Sequence, residues 1–309
     1  MRRINASLPF FTASALVLVI SIFMVFVQIT KLDTDNEAAI YGVMLILQTV
    51  VFAVPAGAFC YFRGYGYVIM LDIFKPRKNS IAVATLGSLL LILTSAVMKF
   101  GIFHFVYDAS GYSLYGSSIS IKTDSLWTGI LMVLSLAIVP AVLEEFVFRG
   151  IIVYEYRHCG SVFAIIMSAL TFTMIHFDLK QFFIFLALGA ILAWIAFITR
   201  CVWICAAVHV VYNLYAIFIE KYVWMFSVNP DSDILFWLIL VVLWFVCGFF
   251  FVNAAEKVMR YCADNGDPAP RPVKKINRKI AIFDSLTEKP FMIAFAIFIV
   301  AGIVNIFAG

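Results

Sequence analysis

The chain contains nine apolar segments that are long enough, or nearly long enough, to cross the hydrocarbon core of a bilayer. A crossing helix needs about 20 apolar residues, because each residue adds about 1.5 Å along the helix axis. The segments lie at 9–30, 38–62, 81–106, 124–156, 160–178, 181–199, 201–220, 234–253 and 290–308. We therefore predict an all-α fold, a polytopic transmembrane bundle of about eight or nine helices.

The composition agrees with this prediction and excludes an ordinary soluble domain. Hydrophobic residues make up 64% of the chain and charged residues only 13%, whereas a typical soluble domain is about 25% charged. The formal net charge of +4 is explained by basic loops at a membrane surface, so membrane lipids are the expected partners and nucleic acid is not. The six cysteines show no paired spacing, and we expect buried thiols rather than disulfides.

The basic residues between the segments predict an orientation. With a cytoplasmic N-terminus, the inner connections hold sixteen Lys and Arg residues and the outer connections hold five. Because an excess of Lys and Arg marks the cytoplasmic side, we predict a multi-pass protein of the cell membrane with its N-terminus inside and its C-terminus outside. The polar stretch 254–289 is then a basic cytoplasmic loop near anionic lipid headgroups.

A few polar side chains lie inside the apolar segments, where an ionisable group costs about 2.5–3.5 kcal/mol to insert and usually faces the bundle interior. They are Glu144, Glu145 and Arg149 in the fourth segment, His176 in the fifth, and His209 and Asn213 in the seventh. Three pairs are spaced i, i+4, so each pair shares one face of its helix: Glu145 with Arg149, Phe172 with His176, and His209 with Asn213. Measured along each helix from its predicted cytoplasmic end, these residues lie at similar depths in the membrane. We therefore predict that they face one cavity.

A carboxylate, two imidazoles and an amide in one buried layer have the groups needed to activate a water molecule and to stabilise an oxyanion. Other interpretations remain open for each part. A single Glu–Arg pair in a membrane helix is often structural, and a lone buried histidine more often makes a hydrogen bond than catalyses a reaction. The strongest alternative for the whole set is an ion or proton pathway of an ion-coupled transporter, although the polar residues lie in one central block that no second half of the chain mirrors.

The three motifs, taken in order, resemble a known family. Glu144-Glu145-x-x-x-Arg149, Phe172-x-x-x-His176 and His209-x-x-x-Asn213 are similar to the motifs of the CAAX-protease and bacteriocin-processing family (CPBP or Abi) of intramembrane proteases. The resemblance covers roughly residues 120–220, about a third of the chain. It implies an intramembrane endopeptidase with a catalytic core at 120–220, flanked by three N-terminal helices in 1–119 and by two C-terminal helices and the basic loop in 221–309.

The resemblance also implies roles for the polar residues. Glu144 and His176 would act on the attacking water, and His209 and Asn213 would lie at the oxyanion. Glu145 would assist them, and Arg149 and Phe172 would give structural support. Glu144, His176 and His209 are a possible ligand set for one divalent ion such as zinc, but the sequence does not decide between a metal and a glutamate-activated water.

The substrate is equally open. Eukaryotic members of the family cut prenylated tails, whereas prokaryotic members serve bacteriocin immunity, processing or other roles. Short loops and the lack of organelle signals favour a prokaryotic member. A catalytically silent immunity protein with the same fold is a third hypothesis, beside the peptidase and the transporter.

Overall fold

The computed structural model describes residues 12–29, 36–64, 66–71, 76–77, 80–102, 125–225, 233–265 and 278–308, and the description that follows concerns these residues. They form helices and no β-strand. The helices are α1 (Ala13–Ile29), α2 (Glu37–Arg63), α3 (Tyr67–Met70), α4 (Ser80–Ile102), α5 (Leu126–Tyr156), α6 (Ser161–Met174), α7 (Phe182–Thr199), α8 (Val202–Phe218), α9 (Glu220–Met225), α10 (Asp233–Asp264), α11 (Arg278–Thr287) and α12 (Lys289–Ala308). The predicted all-α fold is confirmed.

Six of these helices are long and apolar enough to cross a membrane, namely α2, α4, α5, α7, α10 and α12. Three shorter apolar helices, α1, α6 and α8, have 14 to 17 residues. Each of the nine predicted segments therefore contains one apolar helix. The chain is a multi-pass membrane protein.

The outer surface of the bundle is apolar, as expected for a surface that contacts lipid. On α10, Phe245 and Phe249 are 64% and 66% exposed, and Phe307 at the end of α12 is 85% exposed. Contiguous exposed aromatic and aliphatic side chains of this kind are rare on soluble monomers. The hydrocarbon of a bilayer is the environment in which they cost nothing to expose.

Two buried clusters hold the bundle together. One joins α1, α2 and α12 to α5 and α6, and the other joins α4, α7, α8 and α10. Helix α5 belongs to the first cluster, and it also packs along α8, which belongs to the second. The polar residues identified from the sequence lie near this junction, where α5, α6, α7 and α8 meet.

Polar contacts join helix ends that the distribution of Lys and Arg assigns to the same side of the membrane. Arg63 pairs with Glu155, and Arg77 donates to the carbonyl oxygen of Ile198 at 2.8 Å. All of these residues belong to predicted inner ends. At the predicted outer ends, Lys99 pairs with Glu220.

The prediction that residue 254 begins a polar loop is wrong. Helix α10 continues to Asp264, and α11 forms a further helix within the same stretch. The extension of α10 is amphipathic, since Val258 and Cys262 are buried one turn apart while Glu256 and Arg260 pair on the exposed side. Helix period, rather than average polarity, decides the structure here. All six cysteines are buried free thiols, which confirms the prediction for them.

Candidate active site

Helix α5 carries both glutamates between two π-helical turns, at Leu134–Ile138 and Phe146–Ile152. Pro140 has no N–H with which to bond the carbonyl of Leu136, which accounts for the disruption of the first turn. Such turns release backbone carbonyls from the regular ladder and are frequent at functional sites. The apolar pattern does not predict these turns, although Pro140, four residues before Glu144, is a sequence signal for the first of them.

Side chains from neighbouring helices bond to carbonyls of both π-helical turns. Asn213 on α8 donates through Nδ2 to the carbonyl oxygen of Ala137 at 3.3 Å. Ser168 on α6 donates to the carbonyl oxygen of Phe148 at 3.0 Å. These bonds fix the rotation of α5 relative to α6 and α8, and therefore the direction in which its glutamates point.

Glu145 is the centre of the buried polar contacts. Its side chain is fully buried, and its Oε1 accepts from Nη1 of Arg149 at 2.8 Å. The same oxygen lies 2.9 Å from Nδ1 of His209 on α8. The predicted intrahelical pair with Arg149 is confirmed, whereas the contact with His209 was not foreseen.

Arg149 is held by two further contacts. Its Nη2 donates to the carbonyl oxygen of Gly189 on α7 at 3.1 Å, and its guanidinium lies 4.6 Å from the ring centre of Phe172 on α6. A Cβ at Gly189 would lie 3.0 Å from Cα of Ala169. Glycine therefore permits the close approach of α6 and α7 that brings this carbonyl to the arginine. Arg149 links α5, α6 and α7 around the glutamate.

Glu144 approaches the other edge of the same imidazole. Its Oε2 lies 4.0 Å from Nε2 of His209, which is too long for a direct hydrogen bond. His209 therefore lies between two carboxylates, bonded to Glu145 through Nδ1 and facing Glu144 through Nε2.

The prediction that His176 lies inside the fifth helix is wrong by two residues, because α6 ends at Met174. The chain turns there through Phe177, which has a left-handed backbone (φ 51°). This conformation is costly for a bulky residue and is most often found near functional sites. The carbonyl oxygen of Phe177 accepts from Asn305 on α12 at 3.0 Å, so the last helix stabilises the turn that carries the histidine.

His176 is oriented by its helix and by aromatic rings. Its Nδ1 lies 2.8 Å from the carbonyl oxygen of Phe172, and its ring stacks on Phe185 with centres 4.2 Å apart. The ring of Phe172 contacts both His176 and His209, at centre distances of 4.6 and 5.9 Å. The structure thus brings both histidines against one phenylalanine.

The bonds to Nδ1 determine which nitrogen of each neutral histidine carries the proton. A backbone carbonyl only accepts, and a carboxylate paired with an arginine does the same, so Nδ1 must donate in both rings. Nε2 is then an acceptor in His176 and in His209. A ring N–H bonded to a carbonyl or a carboxylate is also the usual support of a metal-binding histidine.

The types of donor atom in the site suit a divalent ion, but their arrangement does not bring three of them together. Glu144 and His209 are close enough to share one ion, and His176 has the required free Nε2. Among the residues that the structure describes, however, no group of three or more His, Cys, Asp or Glu side chains is arranged to hold a metal. The predicted ligand set of Glu144, His176 and His209 stays a prediction.

Comparison with known proteins identifies the segment that contains these residues. A family model described as "Type II CAAX prenyl endopeptidase Rce1-like" matches residues 125–215. The matched segment begins just before α5, ends within α8 and includes every candidate residue. The predicted resemblance to the CAAX-protease and bacteriocin-processing family is confirmed over this segment.

A curated protein of Bacillus subtilis (strain 168), "Putative membrane peptidase YdiL", is 30% identical to the chain over 91 residues. The alignment covers 29% of this chain and 37% of that relative's length. The similarity thus spans little more than a third of the relative. No solved structure matches the chain.

Proposed function

We propose that the chain is an intramembrane endopeptidase that hydrolyses a peptide bond with a water held between Glu144 and His209. One observation carries this proposal: the 4.0 Å separation between Oε2 of Glu144 and Nε2 of His209. One water at about 2.8 Å from each atom bridges such a gap. Similarity of residues 125–215 to CAAX prenyl endopeptidases supports the same reaction class.

His209 is ready to accept a hydrogen bond from this water. Since Nδ1–H donates to Glu145, the lone pair of Nε2 faces the side of Glu144. Glu145 thus has the part of the carboxylate that fixes the tautomer and orientation of a catalytic histidine in hydrolases. Arg149 neutralises that carboxylate and prevents it from taking the proton itself.

Glu144 is the proposed general base. It takes a proton from the water while the water oxygen bonds to the carbonyl carbon of the peptide. The peptide C–N bond then breaks, and the proton passes from Glu144 to the leaving nitrogen. Oxygen and hydrogen from one water are thus divided between the two products.

Asn213 is the proposed oxyanion donor. Its Nδ2 carries two hydrogens, and the bond to Ala137 uses one of them. The second hydrogen is available to the developing charge on the substrate carbonyl. His176 presents an acceptor rather than a donor while it is neutral, so it fits the water side of the site, as the sequence resemblance implies.

The proposed substrate is a peptide associated with the membrane, and membrane lipids are the surrounding partners. The glutamates and histidines lie among crossing helices, so a substrate must reach them within the bilayer. A CAAX-type tail carrying a lipid is the substrate class suggested by the matched family. Cleavage of peptides with and without a lipid tail is the direct comparison.

The test is turnover by purified protein in detergent, with a peptide library as substrate and with Glu144→Gln protein beside it. Specific products from the original protein alone support the peptidase. Equal products from both proteins, or none from either across lipidated and free peptides, would contradict it and favour a silent protein of the same fold. Turnover that a chelator removes and zinc restores would establish the predicted metal, and unchanged turnover would reject it.

A further inference from the structure

A glutamine lies on the inward face of α2, near the middle of that membrane helix. Gln48 is 11 residues after the start of α2 and 15 residues before its end. Phe52 and Pro55 are buried, and both lie within about 40° of Gln48 around the helix axis, at 100° per residue. Thr49, the next residue, is exposed. Gln48 therefore belongs to the face of α2 that packs into the bundle and not to the face that contacts lipid.

The amide oxygen of Gln48 is buried, and among the residues that the structure describes no donor bonds to it. A glutamine in a membrane helix normally bonds to a neighbouring helix, and buried polar atoms are nearly always satisfied. A glutamine that served only to join helices would have such a partner. The oxygen of Gln48 is therefore an acceptor suited to a molecule from outside the chain.

Gln48 lies close in depth to Glu144. Helices α2 and α5 pack lengthwise and run parallel, because Arg63 at the end of α2 pairs with Glu155 at the end of α5. Gln48 precedes Arg63 by 15 residues, and Glu144 precedes Glu155 by 11. Gln48 is thus about four residues, or about 6 Å, nearer to the predicted outer end than Glu144. Helix α2 also packs on Val139–Glu145, the part of α5 that carries Glu144.

The packing around these two side chains is looser than the packing deeper along α2. On the inward face of α2, Val51 and Phe52 are 2% and 1% exposed, whereas Gln48 is only partly buried. The side chain of Glu144 keeps 12% of its surface accessible, although it lies well inside α5. Both polar side chains are thus partly accessible within the bundle, where a substrate can meet them.

We propose that Gln48 binds the backbone of the peptide substrate and holds it beside Glu144. This inference rests on the peptidase function proposed above. The amide oxygen accepts a backbone N–H of the peptide, a group that loses its bond to water when the substrate enters the bundle. An extended peptide advances about 3.3 Å per residue, so a separation of about 6 Å places this N–H about two residues from the scissile bond. Gln48 is a binding residue and takes no part in proton transfer.

The first test compares KM and kcat of Gln48→Leu protein with those of the original protein, on a peptide that the library assay has shown to be cleaved. Leucine keeps the approximate volume without the acceptor, so KM should rise about tenfold with kcat nearly unchanged. The unfolding temperature should stay the same or rise, because a buried oxygen without a partner is removed. A lower unfolding temperature with KM unchanged would make Gln48 a structural residue and overturn the inference.

Thr49→Val is the matched control at the same depth of α2. Thr49 is exposed, and its hydroxyl bonds to the carbonyl oxygen of Leu45 in its own helix at 2.7 Å. Neither KM nor kcat should change in this variant. An equal rise in KM for Thr49→Val and Gln48→Leu would mean a general effect of lost polarity in α2 and would overturn the contact.

Substrates methylated at one backbone nitrogen at a time identify the bonded N–H. At one position about two residues from the scissile bond, the methyl group should raise KM about tenfold more in the original protein than in Gln48→Leu protein, because only the original protein has this bond to lose. Equal effects of every methyl group in the two proteins would overturn the contact with Gln48 and leave the peptidase intact. Absence of turnover in the original protein would contradict the peptidase itself, and the role of Gln48 with it.

Discussion

Glu144 and Glu145 are adjacent in sequence but have different surroundings, and substitution should separate their roles. Glu145 is fully buried and paired, whereas Glu144 faces His209 across a gap. Glu144→Gln keeps the shape and loses the base, so turnover should fall by about 10²–10⁴-fold with thermal stability nearly unchanged. Peptide hydrolysis and thermal unfolding of the purified protein measure the two effects.

The matched control for this change is Glu256→Gln, which removes a carboxylate from the exposed side of α10, where it pairs with Arg260. Turnover and stability should both stay near the original values. If Glu144→Gln instead lowers the unfolding temperature substantially and turnover falls only because less protein is folded, Glu144 is a structural residue. His209 is then left as the base.

Arg149 belongs to the structure of the site more than to its chemistry. Arg149→Ala strands Glu145 as a buried unpaired charge and also frees the carbonyl of Gly189. Breaking a buried pair in this way costs about 3–5 kcal/mol. The expected result is poor accumulation in the membrane, measured by the yield of folded protein after detergent extraction.

The variant Arg149→Lys separates the effect of the charge from the effect of the guanidinium geometry. Lysine keeps the charge but does not present two N–H groups in the plane that reaches both Glu145 and Gly189. It should restore much of the accumulation that Arg149→Ala loses. Arg149→Ala protein that accumulates normally and only turns over slowly would move the arginine into the catalytic group.

At this scale, the sequence predicts contacts within a helix better than contacts between helices. The Glu145–Arg149 pair follows from i, i+4 spacing alone. The bond from Glu145 to His209 depends on how α8 is rotated against α5, and that rotation is set by Asn213 and the carbonyl of Ala137. Sequence spacing contains no record of such a docking angle.

Elements near the site depart from regular geometry where the sequence pattern is least informative. Averaged hydropathy locates α5 but does not show its two π-helical turns. It also extends the fifth segment past Met174, although Phe177 takes a left-handed backbone there. Apolar residues continue through both irregularities, because the lipid and the bundle interior require apolarity whatever the local hydrogen bonding.

The packing of α6 on α7 depends on a glycine, and this is testable. A Cβ at Gly189 would meet Cα of Ala169 at 3.0 Å and the ring of Phe172 at 3.2 Å. Gly189→Ala should therefore push the two helices apart and destabilise the protein by about 1–3 kcal/mol. Thermal unfolding in detergent measures the loss, and turnover should fall with it because the carbonyl of Gly189 holds Arg149.

Gly57→Ala is the matched control, since Gly57 lies within α2 and a Cβ there meets nothing within 4 Å. It should be neutral or stabilising, because alanine favours a helix by up to about 1 kcal/mol over glycine. Equal stability of the two variants would show that the contact at Gly189 is not tight in the membrane.

Two of the shorter apolar helices pack against several others: α6 contacts α5, α7 and α12, and α8 contacts α4, α5 and α7. A helix surrounded by protein need not match the bilayer thickness, whereas α10, with only 17% of its apolar window buried, must do so. A prediction from helix length alone would have left out α6 and α8, the two helices associated with the second and third motifs.

The first and last helices have a role that the sequence did not reveal. Helix α1 packs along α12, and Asn305 of α12 bonds to Phe177 in the turn beside His176. Residues almost 130 positions apart in sequence are thereby joined at the candidate site. The flanking helices thus support the matched segment as well as surround it.

The orientation in the membrane is the remaining prediction at this scale. Contacts put Arg63, Arg77 and Glu155 at one end of the bundle and Lys99 with Glu220 at the other. The positive-inside bias assigns the first end to the cytoplasm. Single cysteines at two exposed positions report on each end, with the six buried native cysteines first replaced: Lys221→Cys beside Glu220, and Glu256→Cys on the distal part of α10.

A membrane-impermeant maleimide should label Lys221→Cys in intact cells and should label Glu256→Cys only after the cells are opened. The reverse pattern would invert the topology. Labelling of both cysteines from outside would mean that α10 does not cross the bilayer. That outcome would contradict the nine-helix arrangement itself, because the number of crossings between the two termini would then be even.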